Sequence, residues 1–278
     1  MYAIIAIGFN IIYNTTGIIN FAQGEFLILG GMIGISLSSF LPLPVAIAAA
    51  VIVTMGVGAL IDFLFIRWLK RPTVLRLIVI TIGVSILIRE SMLHIWDEKV
   101  RTLRYFSGTE ISSIKILGAY ISPQVLWVLG ISAVIVAALS LFFRLTLVGR
   151  AMRACSDNRT AARLCGIRAS RMVTFSFMLS AAIGALAGCA ISPLTQTQYN
   201  MGAPLAIKGF TVAILGGLGN STAAVIAGLV LGLLEAFSIA VLPLAYIDAV
   251  SIAVLLVILF FRPSGLFGNR EASALKDF

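Results

Sequence analysis

Residues 125–143, VLWVLGISAVIVAALSLFF, carry no charge, and residues 172–191, MVTFSFMLSAAIGALAGCAI, form a second such run. An α-helix rises about 1.5 Å per residue, so about 20 apolar residues cross the ~30 Å hydrocarbon core of a bilayer. Either run suffices. The alternating strands of an outer-membrane barrel, about ten residues each, are absent. The fold class is therefore an all-α integral membrane protein. Composition agrees: the 278 residues are 60% hydrophobic and 11% charged, with mean hydropathy +1.08. Soluble domains are about half apolar and about a quarter charged.

Working outward, Phe26 to Ile61 is uncharged and too long for one crossing. Pro42 and Pro44 interrupt it, since an interior proline removes a helix donor and clashes with the preceding turn. Two spans are expected, about 26–40 and 45–65. Others follow at about 77–96, 124–143 and 173–192, the last ending before Pro193. A glycine-interrupted segment at 205–220 precedes spans at about 223–242 and 246–261, parted by a Pro243 corner. Residues 1–13 are apolar but few for a crossing, and no basic signal-peptide region precedes them. Either the start lies upstream or the first helix is short and partly embedded. The count is about 8–9 crossings in one permease-like domain spanning 1–278, with short or broken segments near 14–26 and 205–220.

The net charge of +9 raises a nucleic-acid reading, but the distribution excludes it. Basic residues gather at Arg67, Lys70, Arg71 and Arg76, and again from Arg144 to Arg171. Both clusters are connectors on one side of the membrane, as the positive-inside bias requires, and no soluble basic module exists. The connector at about 144–172 and the charged C-terminal tail, which is expected to fray, are thus cytoplasmic. The mixed-charge loop at about 97–121 lies outside. Cys155, Cys165 and Cys189 have neither paired nor CxxC spacing, and His94 lacks a His or Cys neighbour, so no metal site is expected.

Three segments carry functional candidates. GIINFAQGEF (17–26) sets Asn20, Gln23 and Glu25 between apolar helices. Polar groups at membrane depth are costly unless they face a cavity or protein. Two readings are open: a broken helix lining a translocation path, or a surface loop with Glu25 solvated. KGFTVAILGGLGN (208–220) brings Lys208, Gly216, Gly217 and Gly219, either a second broken element of the path or a tightly packed hairpin. GRAMRACSDNRTAARLCGI (149–167) reads as a short helix capped by Ser156 or Asp157 and closed by Gly166, with Ser170 capping the next span. Ala162 and Gly166 fall one turn apart, as do Arg159 and Arg163. Such strips suit docking on a cytoplasmic partner, or serve only as a topology anchor.

Arg89, Glu90 and His94 could form a relay, but they sit near the outer interface, where local pairing or snorkelling is expected instead. Glu235 and Asp248 are intramembrane acids and so functional candidates by default, the alternative being that one of them pairs with Lys208 or a helix terminus. No G-x-x-x-x-G-K-[ST], H-E-x-x-H or G-x-S-x-G run occurs, so neither a nucleotide site nor a hydrolase is indicated.

GIINFAQGEF, the basic connector, KGFTVAILGGLGN and the terminal LFFRPSGLFG together resemble the permeases of branched-chain amino acid ABC importers, over essentially the whole chain. The connector is similar to the "EAA" loop of ABC importers. The resemblance implies that Arg150, Arg153, Arg159, Ala161, Ala162, Arg163 and Gly166 engage ATPase subunits. It implies two cytoplasmic ATPases that hold the ATP and magnesium, a second homologous permease, a periplasmic solute-binding protein, and residence in the bacterial inner membrane. The chain itself would hold no cofactor and catalyse no reaction. Family members usually carry more apolar sequence before the part matching Tyr2 to Tyr13. Gln23 stands where a histidine is usual, and Arg89-Glu90 where uncharged polar residues are more common. Permeases for urea, short amides and other amino acids share the pattern. An ion-coupled transporter using Glu25, Glu235 or Asp248, or a passive channel, is the rival from outside the family.

Overall fold

The structure is a computed structural model that describes residues 1–68, 73–109, 111–116, 119–241, 243, 246–262 and 265. Lys70, Arg71 and the charged tail lie outside the described residues. The helices are α1 (Tyr2–Thr16), α2 (Gln23–Leu37), α3 (Leu43–Ile61), α4 (Val74–Trp96), α5 (Pro123–Leu145), α6 (Leu147–Asp157), α7 (Arg159–Leu164), α8 (Ala169–Thr195), α9 (Gly202–Gly216), α10 (Ser221–Val241) and α11 (Ile247–Phe261). A π-helical turn, Asp62–Ile66, extends α3. A small antiparallel hairpin, β1 (Ile114–Ile116) and β2 (Ala119–Ile121), pairs Lys115 with Tyr120 inside the 97–121 loop.

Residues Leu43–Ile66, Pro123–Leu145, Ala169–Thr195 and Ser221–Val241 are long and apolar enough to cross a membrane. Helix α8 is the central strut, packed on α1, α2, α3 and α5. Its most apolar window is 78% buried, against 11% for α5, so α8 is internal and α5 peripheral. In lipid no hydrophobic force draws helices together, so close packing of small residues does that work. The α2–α8 seam is built this way. A Cβ on Gly188 would strike the Leu27 carbonyl, and one on Gly30 would strike Ala185. The peripheral helices turn Ile52, Val134, Leu229 and Phe260 outward. Helix α1 is short, yet Ile4 to Ile12 are buried by its neighbours α8, α9 and α10.

Several boundaries depart from expectation. Helix α2 starts at Gln23, not near 26, so Gln23 and Glu25 stand in its first turn and the break spans only 17–22. Helix α8 runs through Pro193 to Thr195. Pro193 has no N–H to give the Cys189 carbonyl, and at the neighbouring position the buried Gln124 amide of α5 donates to the Ala190 carbonyl (2.9 Å), tying this turn to another helix. The basic connector forms two helices, α6 and α7. Asn158, rather than Ser156 or Asp157, caps α7, accepting from Thr160 N (3.0 Å) and Ala161 N (2.9 Å). Ser156 and Asp157 are instead the last turn of α6. Ser170 caps nothing, because α8 begins at Ala169. The proline corner stands as expected: Pro42 is the N-cap of α3, with Pro44 in its first turn.

Candidate functional site

The polar run 17–26 is folded inward. Asn20, Gln23 and Glu25 are each buried. The Gln23 amide donates to the Ser180 carbonyl (3.3 Å), and Ser180 Oγ donates to Gln23 Oε1 (2.5 Å) while lying 3.0 Å from the Gly8 carbonyl. One turn away on α8, Ser176 Oγ donates to Thr15 Oγ1 (2.6 Å). Helices α1, α2 and α8 are thus joined by buried polar side chains. Ser85 on α4 donates to Glu25 Oε1 (3.1 Å), and Oε2 has no partner among the described residues. Beside that carboxylate α2 meets α9: a Cβ on Gly24 would strike the Gly202 carbonyl, and one on Gly202 would strike Glu25. Glu25 is therefore walled in by helices and is not a solvated loop acid.

The glycine segment divides into helix and loop. Helix α9 ends at Gly216, and Gly217 (φ 93) and Gly219 (φ 94) occupy conformations open chiefly to glycine. Two asparagines of α1 hold the loop. Asn10 Oδ1 accepts from Gly219 N (3.0 Å), and Asn14 Nδ2 donates to the Gly219 carbonyl (2.9 Å). Asn220 then caps α10 by accepting from Ala223 N (3.0 Å).

Lys208 lies on another face of α9. Its Nζ reaches Glu235 Oε1 (3.1 Å) on α10 and Asp248 Oδ1 (2.8 Å) on α11. Tyr2 donates to Glu235 Oε2 (2.5 Å), and Ser251 donates to the same carboxylate. Lys208 and Glu25 therefore belong to separate clusters. Arg89 pairs with its neighbour Glu90 (3.6 Å), and the His94 ring bonds the Glu90 carbonyl (2.8 Å), as local pairing requires.

At the connector end α7 projects from the bundle. Leu164 is 85% exposed, while Ala162 is buried against the chain's own helices. Gly166 adopts φ 84 beyond the helix end, with open space around its Cα. The expected Ala162–Gly166 strip therefore does not form, since Gly166 is past the last helical turn. The exposed face instead carries Ala161, Arg163, Leu164 and Cys165. Arg150 and Arg153 are exposed on α6. Arg159 is half-buried with an unpartnered Nε, and burial with the nearby Arg163 charge lowers its pKa. Burial likewise raises the Cys155 thiol pKa. Between α1, α5, α6 and the α9–α10 loop opens a cavity of about 460 Å³. No group of three or more His, Cys, Asp or Glu residues capable of holding a metal occurs among the described residues.

A family described as "Branched-chain amino acid transport system / permease component" matches residues 1–259. The chain belongs to that family. It is 31% identical to the high-affinity branched-chain amino acid transport system permease protein BraD of Pseudomonas aeruginosa, covering 97% of this chain and 92% of the relative. It is likewise 31% identical to LivH of Escherichia coli strain K12, with the same coverage. A more distant relative, the ribose import permease protein RbsC of Haemophilus influenzae, is 24% identical over 84% of this chain and 72% of that one. No solved structure matches. The chain is thus a transport permease, built as a multi-pass all-α membrane protein.

Residues that this permease brings to the site without warning from motif reading are Asn10, Asn14, Thr15, Ser176 and Ser180. The available signal was the presence of small polar side chains inside otherwise apolar helices, which marks helix interfaces or cavities. Asp62 is another: it is buried in the π-turn and accepts from Thr174 Oγ1 (2.6 Å), tying α3 to α8 just beyond the connector. π-turns recur at functional sites.

Proposed function

We propose that this permease is the membrane-spanning subunit of an ATP-driven importer that carries leucine, isoleucine and valine across the bacterial inner membrane. One observation carries the reading: similarity to high-affinity branched-chain amino acid permeases extends over 97% of the chain. The capped α7 with its bare Leu164 supports a docking role, because an exposed leucine on a polar connector suits a groove on another subunit. Two cytoplasmic ATPases holding ATP and magnesium engage Arg150, Arg153, Arg163 and the α7 tip. A second, related permease completes the pore, and a periplasmic binding protein delivers the solute. Nine crossings, with the short segment at 205–220 counted as one, place both basic connectors and the C-terminus in the cytoplasm, as the charge bias requires. Asn20 in the 17–22 break, with Gln23 and Glu25 in the helical turn that follows it, and the Gly216–Gly219 loop are the path candidates, because interrupted helices are the places at which transporters expose backbone to solute. Lys208 stabilises the bundle through Glu235 and Asp248.

The likeness to a ribose import permease favours one second reading, a permease of the same architecture for another small solute. Competition separates the two. In cells lacking other leucine uptake, unlabelled isoleucine and valine suppress permease-dependent leucine entry, whereas ribose, urea and acetamide leave it unchanged. Entry suppressed equally by ribose or urea would sink the branched-chain assignment.

A further inference from the structure

The cavity at the connector end shares Arg153 with the proposed ATPase surface and Gly219 with the α9–α10 loop, and the rest of its lining has a chemistry that no role above uses. Its floor is apolar: Ile7 and Ile11 from α1, Leu139 from α5 and Met152 from α6 are all buried. Its rim is charged: Arg144, Arg153 and Asp157 are exposed and line the same opening. Among the described residues no ion pair joins either arginine to Asp157 or to another acid. Ser221 and Thr222 bring the first turn of α10 to the same rim, where the helix's positive end favours an anion.

We infer that this cavity binds a free aliphatic amino acid from the connector side. The carboxylate meets Arg144, Arg153 and the α10 terminus, the ammonium meets Asp157, and the branched side chain rests on the isoleucine and leucine floor. A fatty acid leaves Asp157 unused, and an alkylamine leaves both arginines unused. A bare anion gains nothing from the floor, so the amino acid alone satisfies all three features. The inference rests on the importer reading in placing the connector end in the cytoplasm and in the feedback on import, whereas the binding itself does not depend on it.

Occupancy has a consequence for the cycle. The cavity walls come from α1, α5, α6 and the α9–α10 loop, and α6 leads through Asn158 directly into α7. A ligand bridging α5 to α6 adds contacts that must break when α6 moves with α7. It therefore favours one arrangement by its differential affinity. Imported amino acid accumulating inside the cell thereby slows its own import.

The test uses the complete complex in nanodiscs without binding protein or ATP, probed with radiolabelled leucine. Wild type binds leucine saturably, and isoleucine and valine displace it. Asp157→Asn, which removes the ammonium partner, and Ser140→Trp, which fills the cavity from an exposed α5 position, both lose this binding. Proteoliposomes preloaded with leucine at about ten times its Kd then import about tenfold more slowly than empty ones, and that ratio returns to about one in both variants. Absence of saturable binding to wild type, retention in both variants, or displacement by anionic lipid but not isoleucine overturns the inference. ATP-driven leucine uptake without cavity binding sinks the cavity alone. Cavity binding without uptake sinks the importer reading alone.

Discussion

Gln23 and Ser180 exchange two hydrogen bonds across the α2–α8 seam: the Gln23 amide donates to the Ser180 carbonyl (3.3 Å) and Ser180 Oγ donates to Gln23 Oε1 (2.5 Å). Because Ser180 Oγ also lies 3.0 Å from the Gly8 carbonyl, one serine links three helices. Both side chains are sealed from solvent, so neither finds water if the other is lost. Replacing Gln23→Leu removes both bonds, leaves Ser180 Oγ only the Gly8 carbonyl, and destabilises the bundle by about 1–2 kcal/mol. Thermal unfolding of the detergent-purified permease shows this as a lowered midpoint, and an unchanged midpoint would remove the pinning role.

The Lys208–Glu235 pair predicts non-additivity. Both side chains are largely buried, at 13% and 9% exposure, so Lys208→Met leaves an uncompensated carboxylate and costs about 3–5 kcal/mol. Adding Glu235→Gln recovers most of that loss. Asp248 is 73% exposed, so Asp248→Asn costs only about 0–1 kcal/mol. A double-mutant cycle on unfolding midpoints checks all three values, and additive losses would contradict the pairing.

Gly188 sets the distance between α2 and α8. A Cβ there strikes the Leu27 backbone, which has no rotamer by which to escape. Gly188→Val therefore forces the seam apart at about 3 kcal/mol or more. The same change at Gly56, where a Cβ meets nothing, leaves folded yield near wild type. Size-exclusion profiles of the two variants decide it, and equal profiles would count against close packing at this seam.

Leu164 is the sharpest probe of docking. Leu164→Asp leaves the bundle intact, because the side chain touches little of its own chain, yet it weakens ATPase association about tenfold or more. Gly166→Arg is the less informative variant, since its positive φ strains any side chain whatever the partner does. Co-purification of ATPase with each variant measures the effect, and full association of Leu164→Asp would move the docking surface elsewhere.

The long uncharged runs of α5 and α8 were legible in sequence because nothing but a lipid-spanning helix accommodates them. The pairing of Lys208 with Glu235 or Asp248 was legible for a related reason: a lone base among apolar spans needs an acid. The start of α2 was not. Gln23 and Glu25 resemble loop residues locally, and only partners on α8 and α4, far away in sequence, make them interior ones. Pro193 misled in the same way, because the helix around it is held by groups from elsewhere in the chain, such as the Gln124 amide of α5 on the Ala190 carbonyl. The cap of α7 was displaced by two residues or fewer, since α6 continues through Ser156 and Asp157 and leaves Asn158 as the first non-helical position. Helical spacing paired Ala162 with Gly166, but Gly166 lies past the helix end, where that spacing no longer applies. The cavity was invisible altogether, being assembled from four separated stretches of chain.

The importer assignment is tested most directly by leucine uptake into proteoliposomes holding the permease, its partner permease and the ATPases, with binding protein outside and ATP inside. The account predicts concentrative leucine accumulation that stops when ATP is withheld and ignores proton and sodium ionophores. Accumulation that persists without ATP and collapses with an ionophore would contradict it.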